Sequence, residues 1–175
     1  MSADWRARAV WAAAAALASS IACGASIEDL PKRKPGLWEM SIVPGEGQRP
    51  AATSKVCLDA ATDVELMRFG LGMTNELCSK RDLVVKGNVA TIDAVCKIGT
   101  SQQTSHSTIT YTGNSAYRSE IKAKYEPPFL GKSEATTIQE AKWTGPCPAD
   151  MKPGDLVTGN GPKINLKDVT SKAKK

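Results

Sequence analysis

Short runs of alternating apolar and polar residues, separated by turn signals at roughly 8- to 12-residue intervals, recur through most of this chain. The run Gly36–Val43 shows the pattern, because its apolar side chains fall on one side of a strand and its polar ones on the other. Further predicted strands are Val56–Leu58, Leu83–Val85, Val89–Ile98, Thr108–Thr112, Ala116–Tyr125 and Ser133–Trp143. The pattern predicts a mainly β fold with one short helix: an antiparallel meander that closes toward a barrel or sandwich and is stapled by disulfides.

The one helical pattern follows Val56–Leu58. Thr62 and Glu65 have the spacing of a capping box, which marks a helix N-terminus. Gly70 and Gly72 each weaken a helix by about 1 kcal/mol, so we expect one short helix or two turns with a break. Apolar residues recur at helical spacing at Leu66, Phe69, Met73 and Leu77.

The N-terminus has the order of a secretory signal peptide. Arg6 and Arg8 precede the alanine-rich run Ala9–Ala18, and small residues follow. The apolar run has about half of the roughly 20 residues needed to span a bilayer. We therefore predict a signal peptide over residues 1–25, a single β-rich domain over 26–160, and a flexible basic tail over 161–175.

Two processing sites fit this segment. Cleavage after Ala25 would release a protein beginning at Ser26. Alternatively, Ile21-Ala22-Cys23-Gly24 resembles a lipoprotein box, with Ser20 where that box usually has leucine, and Cys23 would then be lipidated. The sequence predicts a periplasmic location in either case, with a membrane anchor only if Cys23 carries lipid.

Four further cysteines remain in the body of the chain, and they allow three pairings. A two-residue loop at Gly87-Asn88 would place Cys96 opposite Ser79 rather than Cys78. A one-residue offset turns side chains to opposite faces, so this register favours Cys57–Cys78 and Cys96–Cys147. A three-residue loop would shift the register by one and allow Cys78–Cys96 instead.

Charge and composition limit the function classes. The chain carries a net charge of +5, with 41% hydrophobic and 23% charged residues, which is typical of a globular domain. The basic residues are scattered, and those of the tail are not interleaved with aromatic residues as a single-strand binder requires. We therefore predict no nucleic-acid partner.

The residues offer no evident catalytic centre. His106, the single histidine, lies between serines in a polar stretch, and a Ser-His hydrolase would also need an orienting carboxylate and an oxyanion hole. The sequence has no Cys-x-x-Cys and no zinc-ligand spacing. We predict no metal, no cofactor and no catalytic residue, and a solvent-facing His106.

The start of the first predicted strand has a motif that is found in ligand-binding proteins. Gly36-Leu37-Trp38 is similar to the Gly-x-Trp near the start of lipocalins, where the tryptophan closes the barrel base. The alternative is a core tryptophan that enters the sheet, and Trp38 is expected to be buried in both cases. A barrel interior would accept a small apolar ligand.

Several short motifs together resemble the bacterial domain-of-unknown-function family 3617. They are Lys34-Pro35-Gly36-Leu37-Trp38-Glu39, Val56-Cys57-Leu58-Asp59, Cys78-Ser79, Val95-Cys96-Lys97 and Trp143-Thr144-Gly145-Pro146-Cys147. The resemblance covers about Leu30 to Leu166. It implies a small, signal-bearing envelope protein, some members being lipid-anchored, and it carries no catalytic residues.

Three functional hypotheses follow. The leading one is a non-enzymatic periplasmic module that binds a small apolar ligand or an envelope partner. The second is an envelope hydrolase that uses His106, which requires a Ser or Thr and a carboxylate beside it in a concave pocket. The third is a structural or stress-related envelope lipoprotein acylated at Cys23.

Overall fold

The computed structural model describes residues 25–44 and 53–168, in which one nine-stranded antiparallel sheet carries the helix α1 on one face, and residues 166–168 at the end of the described chain are also helical. A 3-10 turn, Ile27–Asp29, lies in the segment that precedes the sheet. The elements are β1 Gly36–Pro44, β2 Ser54–Leu58, α1 Ala60–Leu77, β3 Cys78–Lys86, β4 Val89–Ile98, β5 Ser101–Thr112, β6 Ala116–Phe129, β7 Lys132–Gly145, β8 Asp155–Thr158 and β9 Ile164–Asn165.

The strand order is β3-β4-β5-β6-β7-β1-β2-β8-β9. The predicted class, mainly β with one short helix, is confirmed. The sheet does not close, because β3 and β9 remain its two edges in the part of the chain that is described. The described strands therefore enclose no barrel interior.

Strand alternation sorts the residues of the sheet between two faces. In β5 the side chains of Ile109 and Tyr111 face the helix, whereas Thr110 between them is exposed on the other face. The register then places Ser119 of β6 opposite Ile109, and Tyr117 opposite Tyr111. The outer face carries cross-strand ion pairs, including Arg118–Glu140, Lys124–Glu134 and Lys142–Glu39.

The helix begins earlier than the sequence pattern predicts. Asp59 is the residue before α1, and its carboxylate accepts a hydrogen bond of 2.7 Å from the Thr62 backbone N–H. The Thr62 hydroxyl in turn accepts one of 2.8 Å from the Asp59 N–H. The reciprocal cap therefore joins Asp59 to Thr62 rather than Thr62 to Glu65, and the helix continues without a break through Gly70 and Gly72.

Trp38 lies at the centre of the larger core cluster and is 1% exposed. It packs against Val56, Leu58, Ala141 and Leu166, and its indole N–H donates to the Lys34 carbonyl at 2.8 Å. Burial of one such large aromatic side chain contributes about 1.5–3 kcal/mol.

The strand leading to Trp38 starts at a glycine for a steric reason. Gly36 has a φ of +133°, and a Cβ there would lie 2.3 Å from both the Gly145 carbonyl oxygen and the Trp143 indole nitrogen. Only glycine allows this close approach of β1 to the end of β7.

The chain beyond Gly145 adds two strands to the sheet. β8 pairs with β2, β9 pairs with β8, and Leu166 packs into the Trp38 cluster. The Leu166 N–H also donates to the Gly154 carbonyl at 2.9 Å. The domain end expected at residue 160 is therefore corrected to include at least Leu166, while residues 169–175 of the expected tail lie outside the described residues.

The cysteines pair differently from the prediction. Cys57 bonds to Cys147 and Cys78 bonds to Cys96, so the predicted pairs Cys57–Cys78 and Cys96–Cys147 are wrong. Cys57 and the end of β7 flank β1 on opposite sides, since Leu37 pairs with Cys57 across one ladder and with Gly145 across the other. This places Cys147, two residues beyond β7, within reach of Cys57.

A bulge explains why the hairpin register gave the wrong pairing. The predicted register holds from the turn as far as Lys80, which lies opposite Val95. The register then shifts by one residue at Ser79, and Cys78 comes to face Cys96. The predicted two-residue loop at Gly87-Asn88 agrees with the observed register. The alternation of apolar and polar residues along β3 did not indicate the extra residue, Ser79.

Two predictions from the sequence fall partly or wholly outside the described residues. The signal peptide over 1–25 and the lipid site at Cys23 concern residues 1–24. In the described part of the chain, no helix combines the length and apolar character required to cross a membrane.

Candidate ligand cavity between helix and sheet

A cavity of about 420 Å³ lies between α1 and the sheet face that it covers, and it is open on one side. This volume falls within the range of roughly 300–1,000 Å³ that small-molecule sites occupy. The side chains that line it are Leu30, Arg33, Met40, Leu66, Met67, Leu83, Ile92, Ile109, Tyr111, Tyr117, Ser119 and Gln139.

The walls of the cavity are apolar and come from separate parts of the chain. α1 contributes Leu66 and Met67, and the hairpin of β3 and β4 contributes Leu83 and Ile92. Leu30 closes one end from the N-terminal segment, which we define as residues 25–35, and it is 8% exposed. Because a helix, a sheet and this segment enclose the space, its shape depends on the tertiary fold.

A buried ion pair joins the N-terminal segment to the start of α1. The Arg33 Nε and Nη2 atoms both lie 2.5 Å from the same Asp63 carboxylate oxygen, Oδ1. The two side chains are only 6% and 5% exposed. The guanidinium also lies over two aromatic rings, 5.9 Å from the Trp38 centroid and 5.8 Å from that of Tyr117. Arg33, the one charged group among the described side chains that line the cavity, is thus already neutralised by Asp63.

The two tyrosines of the cavity are held as neutral hydrogen-bonding groups. Tyr111 and Tyr117 lie 5.9 Å apart between ring centroids, opposite each other on β5 and β6. Burial raises the pKa of each, and the nearby Arg33 guanidinium opposes this shift only in part. Both hydroxyls therefore stay protonated through the physiological pH range.

Two polar side chains are directed at the Met40 sulfur, and a third, Ser119, lies beside one of them. The Tyr117 hydroxyl donates to Met40 Sδ at 3.7 Å, and the Gln139 amide nitrogen lies 4.0 Å from the same atom. Ser119 lies directly opposite Gln139 across the β6–β7 ladder and is 5% exposed. The cavity therefore has a polar zone on the sheet side, within otherwise apolar walls.

A second groove adjoins the cavity at the β3 edge. Its volume is about 450 Å³, and it shares Leu83 and Ile92 with the cavity. The N-terminal residues Ala25, Ser26 and Glu28 form its other side. The segment is fixed to α1 by an exposed ion pair between Glu28 and Arg68 at 2.9 Å.

His106 lies on the outer face of β5, opposite to the face that lines this cavity. Its Nδ1 lies 2.7 Å from the Asp93 carboxylate on β4, and its Nε2 lies 3.3 Å from the Thr108 hydroxyl. The histidine and aspartate side chains are about half exposed, at 52% and 58%. A carboxylate and a hydroxyl, two of the neighbours that a hydrolase needs, are present, but His106 does not line the cavity between α1 and the sheet.

The surroundings of His106 also limit what it can do chemically. Thr108 lies mid-strand, where β5 pairs on one side with β4 and on the other with β6. Backbone N–H groups in such a ladder are used by the sheet and cannot form an oxyanion hole. In residues 25–44 and 53–168, no group of three or more His, Cys, Asp or Glu side chains is placed to hold a metal.

The site residues singled out from the sequence have different places in the structure. Trp38 packs below the cavity, against Tyr117 at 6.1 Å between ring centroids, and does not line it. Sequence reasoning missed Arg33, Asp63 and Gln139. Alternation along β7 could have assigned Gln139 to the inner face, but the pairing of Arg33 with Asp63 joins residues 30 positions apart and has no local signal.

The fold and the cavity together define the class of this molecule: an open antiparallel sheet whose inner face and one helix enclose an apolar cavity. The chain belongs to the family described as "Protein of unknown function (DUF3617)", whose model matches residues 33–147. The match runs from the buried Arg33 to Cys147 and includes both disulfides. No curated protein and no solved structure matches the chain.

Proposed function

We propose that this protein is an exported, non-enzymatic binding protein that holds a small, largely apolar ligand in the cavity between α1 and the sheet. The observation that carries the proposal is the cavity itself, about 420 Å³ lined by seven aliphatic or methionine side chains with a few polar groups on one side. This combination is the usual composition of a ligand site.

The placement of the apolar residues also supports binding. Met40, Leu66 and Met67 remain only partly buried, although they lie beside the two core clusters. Leaving such side chains in contact with solvent forfeits about 25 cal/mol per Å² of apolar surface. A ligand that fills the cavity would recover this free energy, which is a reason for the fold to accept one.

Two features support export. The N-terminal pattern is that of a signal peptide, and both disulfides belong to the kind of bond that persists in oxidising compartments such as the periplasm. Whether Cys23 is lipidated decides between a diffusing protein and an anchored one, and the structural lipoprotein hypothesis depends on that modification.

The test uses a neutral, apolar fluorescent probe, N-phenyl-1-naphthylamine, titrated into the purified protein. We expect saturable binding by the native chain and at least a roughly tenfold weaker affinity in Ile109→Trp, because the larger ring fills the cavity from β5. The matched control is Thr110→Trp, which adds the same ring on the opposite, exposed face of the strand.

Circular dichroism and thermal unfolding of both variants verify that each is folded. Equal probe binding in Ile109→Trp and Thr110→Trp would contradict the proposed site, and so would an absence of saturable binding by the native protein.

The hydrolase hypothesis gains one specific observation, the hydrogen-bonded chain of Asp93, His106 and Thr108. It lacks the concave setting that it requires, since the three side chains lie on an open strand face. The apolar cavity on the other face is the site that the geometry favours.

A further inference from the structure

We propose that the ligand of this cavity is an uncharged amphiphile whose polar end carries a hydrogen-bond-accepting oxygen, such as a long-chain ester or ketone. The inference rests on the proposed function and specifies the chemistry of the same site. It follows from which polar groups face the cavity and from the charges that surround it.

The first step concerns two hydrogen-bond donors that share a weak acceptor, the Met40 sulfur. The Tyr117 hydroxyl and the Gln139 amide N–H are both directed at Met40 Sδ, at 3.7 and 4.0 Å. A thioether sulfur is a weak acceptor, so these contacts satisfy the two donors poorly. A carbonyl or ester oxygen placed between them would form stronger hydrogen bonds than the sulfur does.

The second step concerns Ser119. Ser119 is 5% exposed and lines the cavity, so its hydroxyl can donate a hydrogen bond to a ligand held there. Because Ser119 lies opposite Gln139 in the ladder, both can reach the same ligand atom.

The third step concerns charge. Among the described side chains, Arg33 is the one charged group that lines the cavity, and its Nε and Nη2 are already bound to Asp63. An ionised carboxylate brought to Arg33 would meet the Asp63 carboxylate, and an ammonium would meet the guanidinium. A charge buried without a free counter-charge is strongly disfavoured, so the site selects neutral ligands.

The experiment measures displacement of the same neutral probe by four ligands of equal chain length. They are methyl myristate, myristate, myristylamine and tetradecane, each at neutral pH. We expect the ester to displace the probe at a concentration at least about tenfold below that of the other three. The ester alone combines an apolar chain, no charge and an acceptor oxygen.

Two substitutions assign this preference to the polar zone. Gln139→Leu and Ser119→Ala are each expected to weaken ester binding about five- to tenfold and to leave tetradecane binding unchanged, because each removes one hydrogen bond. Gln102→Leu, the same change on the exposed face of β5, is the matched control and is expected to bind the ester as the native chain does.

The outcomes separate the two proposals. If myristate, myristylamine or tetradecane displaces the probe as well as the ester, the inference about ligand class is wrong while the cavity remains the binding site. If Gln102→Leu weakens ester binding as much as Gln139→Leu, the polar zone is not the recognition element. If the probe itself does not bind, the proposed function is wrong.

Discussion

At the scale of single residues, the buried ion pair of Arg33 and Asp63 lies at the wall of the cavity. It joins the N-terminal segment to the first turn of α1, and both side chains are almost fully buried. Each charge is tolerated because the other is present, so the pair behaves as a unit.

We expect Asp63→Asn to lower the free energy of unfolding by about 3–5 kcal/mol, because it leaves the buried Arg33 without its counter-charge. The double variant Arg33→Met/Asp63→Leu is expected to lose less than this, since it removes both charges and restores apolar packing. Urea unfolding of the three proteins checks the order. A double variant less stable than Asp63→Asn would contradict the account.

The β3–β4 hairpin shows how far sequence reasoning reaches at the scale of an element. The Gly87-Asn88 turn signal fixed the register correctly through Lys80 and Val95, since turn length sets hairpin pairing. The bulge at Ser79 then reversed the conclusion about Cys78. The bulge lies at the start of β3, directly after the end of α1. The alternation of apolar and polar residues along β3 does not reveal an extra residue of this kind.

The two disulfides enclose chain segments of different length, and this difference predicts their contributions. Cys78–Cys96 spans 18 residues and Cys57–Cys147 spans 90. In the chain-entropy picture, replacing the first pair by serine costs about 3 kcal/mol and replacing the second costs about 4.6 kcal/mol.

Denaturant unfolding of the two double-serine variants measures these losses. A larger loss for the Cys78–Cys96 pair would contradict the entropic account. Peptide mapping without reduction checks the pairing itself, and a peptide that joins Cys57 to Cys78 would contradict the structure.

At the scale of the whole molecule, the antiparallel character and the helix α1 were predictable, whereas the extent and closure of the sheet were not. β8 has four residues and β9 two, and both lie among Pro and Gly residues that indicate turns. Such short strands form because β2 offers a ladder and the Trp38 cluster accepts Leu166. The cavity depended on the same long-range packing, so only its apolar character was foreseen.

Acid is expected to weaken this C-terminal part of the sheet. The Lys152 backbone N–H and the Asn165 amide donate to Asp155 and hold its pKa below the ordinary value. A carboxyl whose pKa is lower in the folded protein than in the unfolded chain stabilises the fold at pH values above the unfolded-state pKa. This stabilisation is lost as the pH falls through the folded-state pKa. The loss therefore occurs below about pH 4.

We expect Asp155→Asn to lower the free energy of unfolding more at pH 7 than at pH 3, because protonation of the native carboxyl progressively removes its contribution as the pH falls below about 4. Asp150→Asn removes the same charge outside this hydrogen-bond network and serves as the control. An equal loss for Asp155→Asn at both pH values, measured by urea unfolding, would contradict the assignment.

The N-terminal segment gives the molecule a built-in attachment point for a reporter. Ser26 is exposed at the groove that shares Leu83 and Ile92 with the cavity, whereas Lys163 is exposed beside β9, at the opposite edge of the sheet. A dye carried at position 26 would sense the filling of the cavity by proximity, and the same dye at position 163 would provide the reference signal. Because the sheet is open, its two edges can carry two dyes, one at position 26 that responds to the ligand and one at position 163 that does not. The ratio of their signals would report ligand binding.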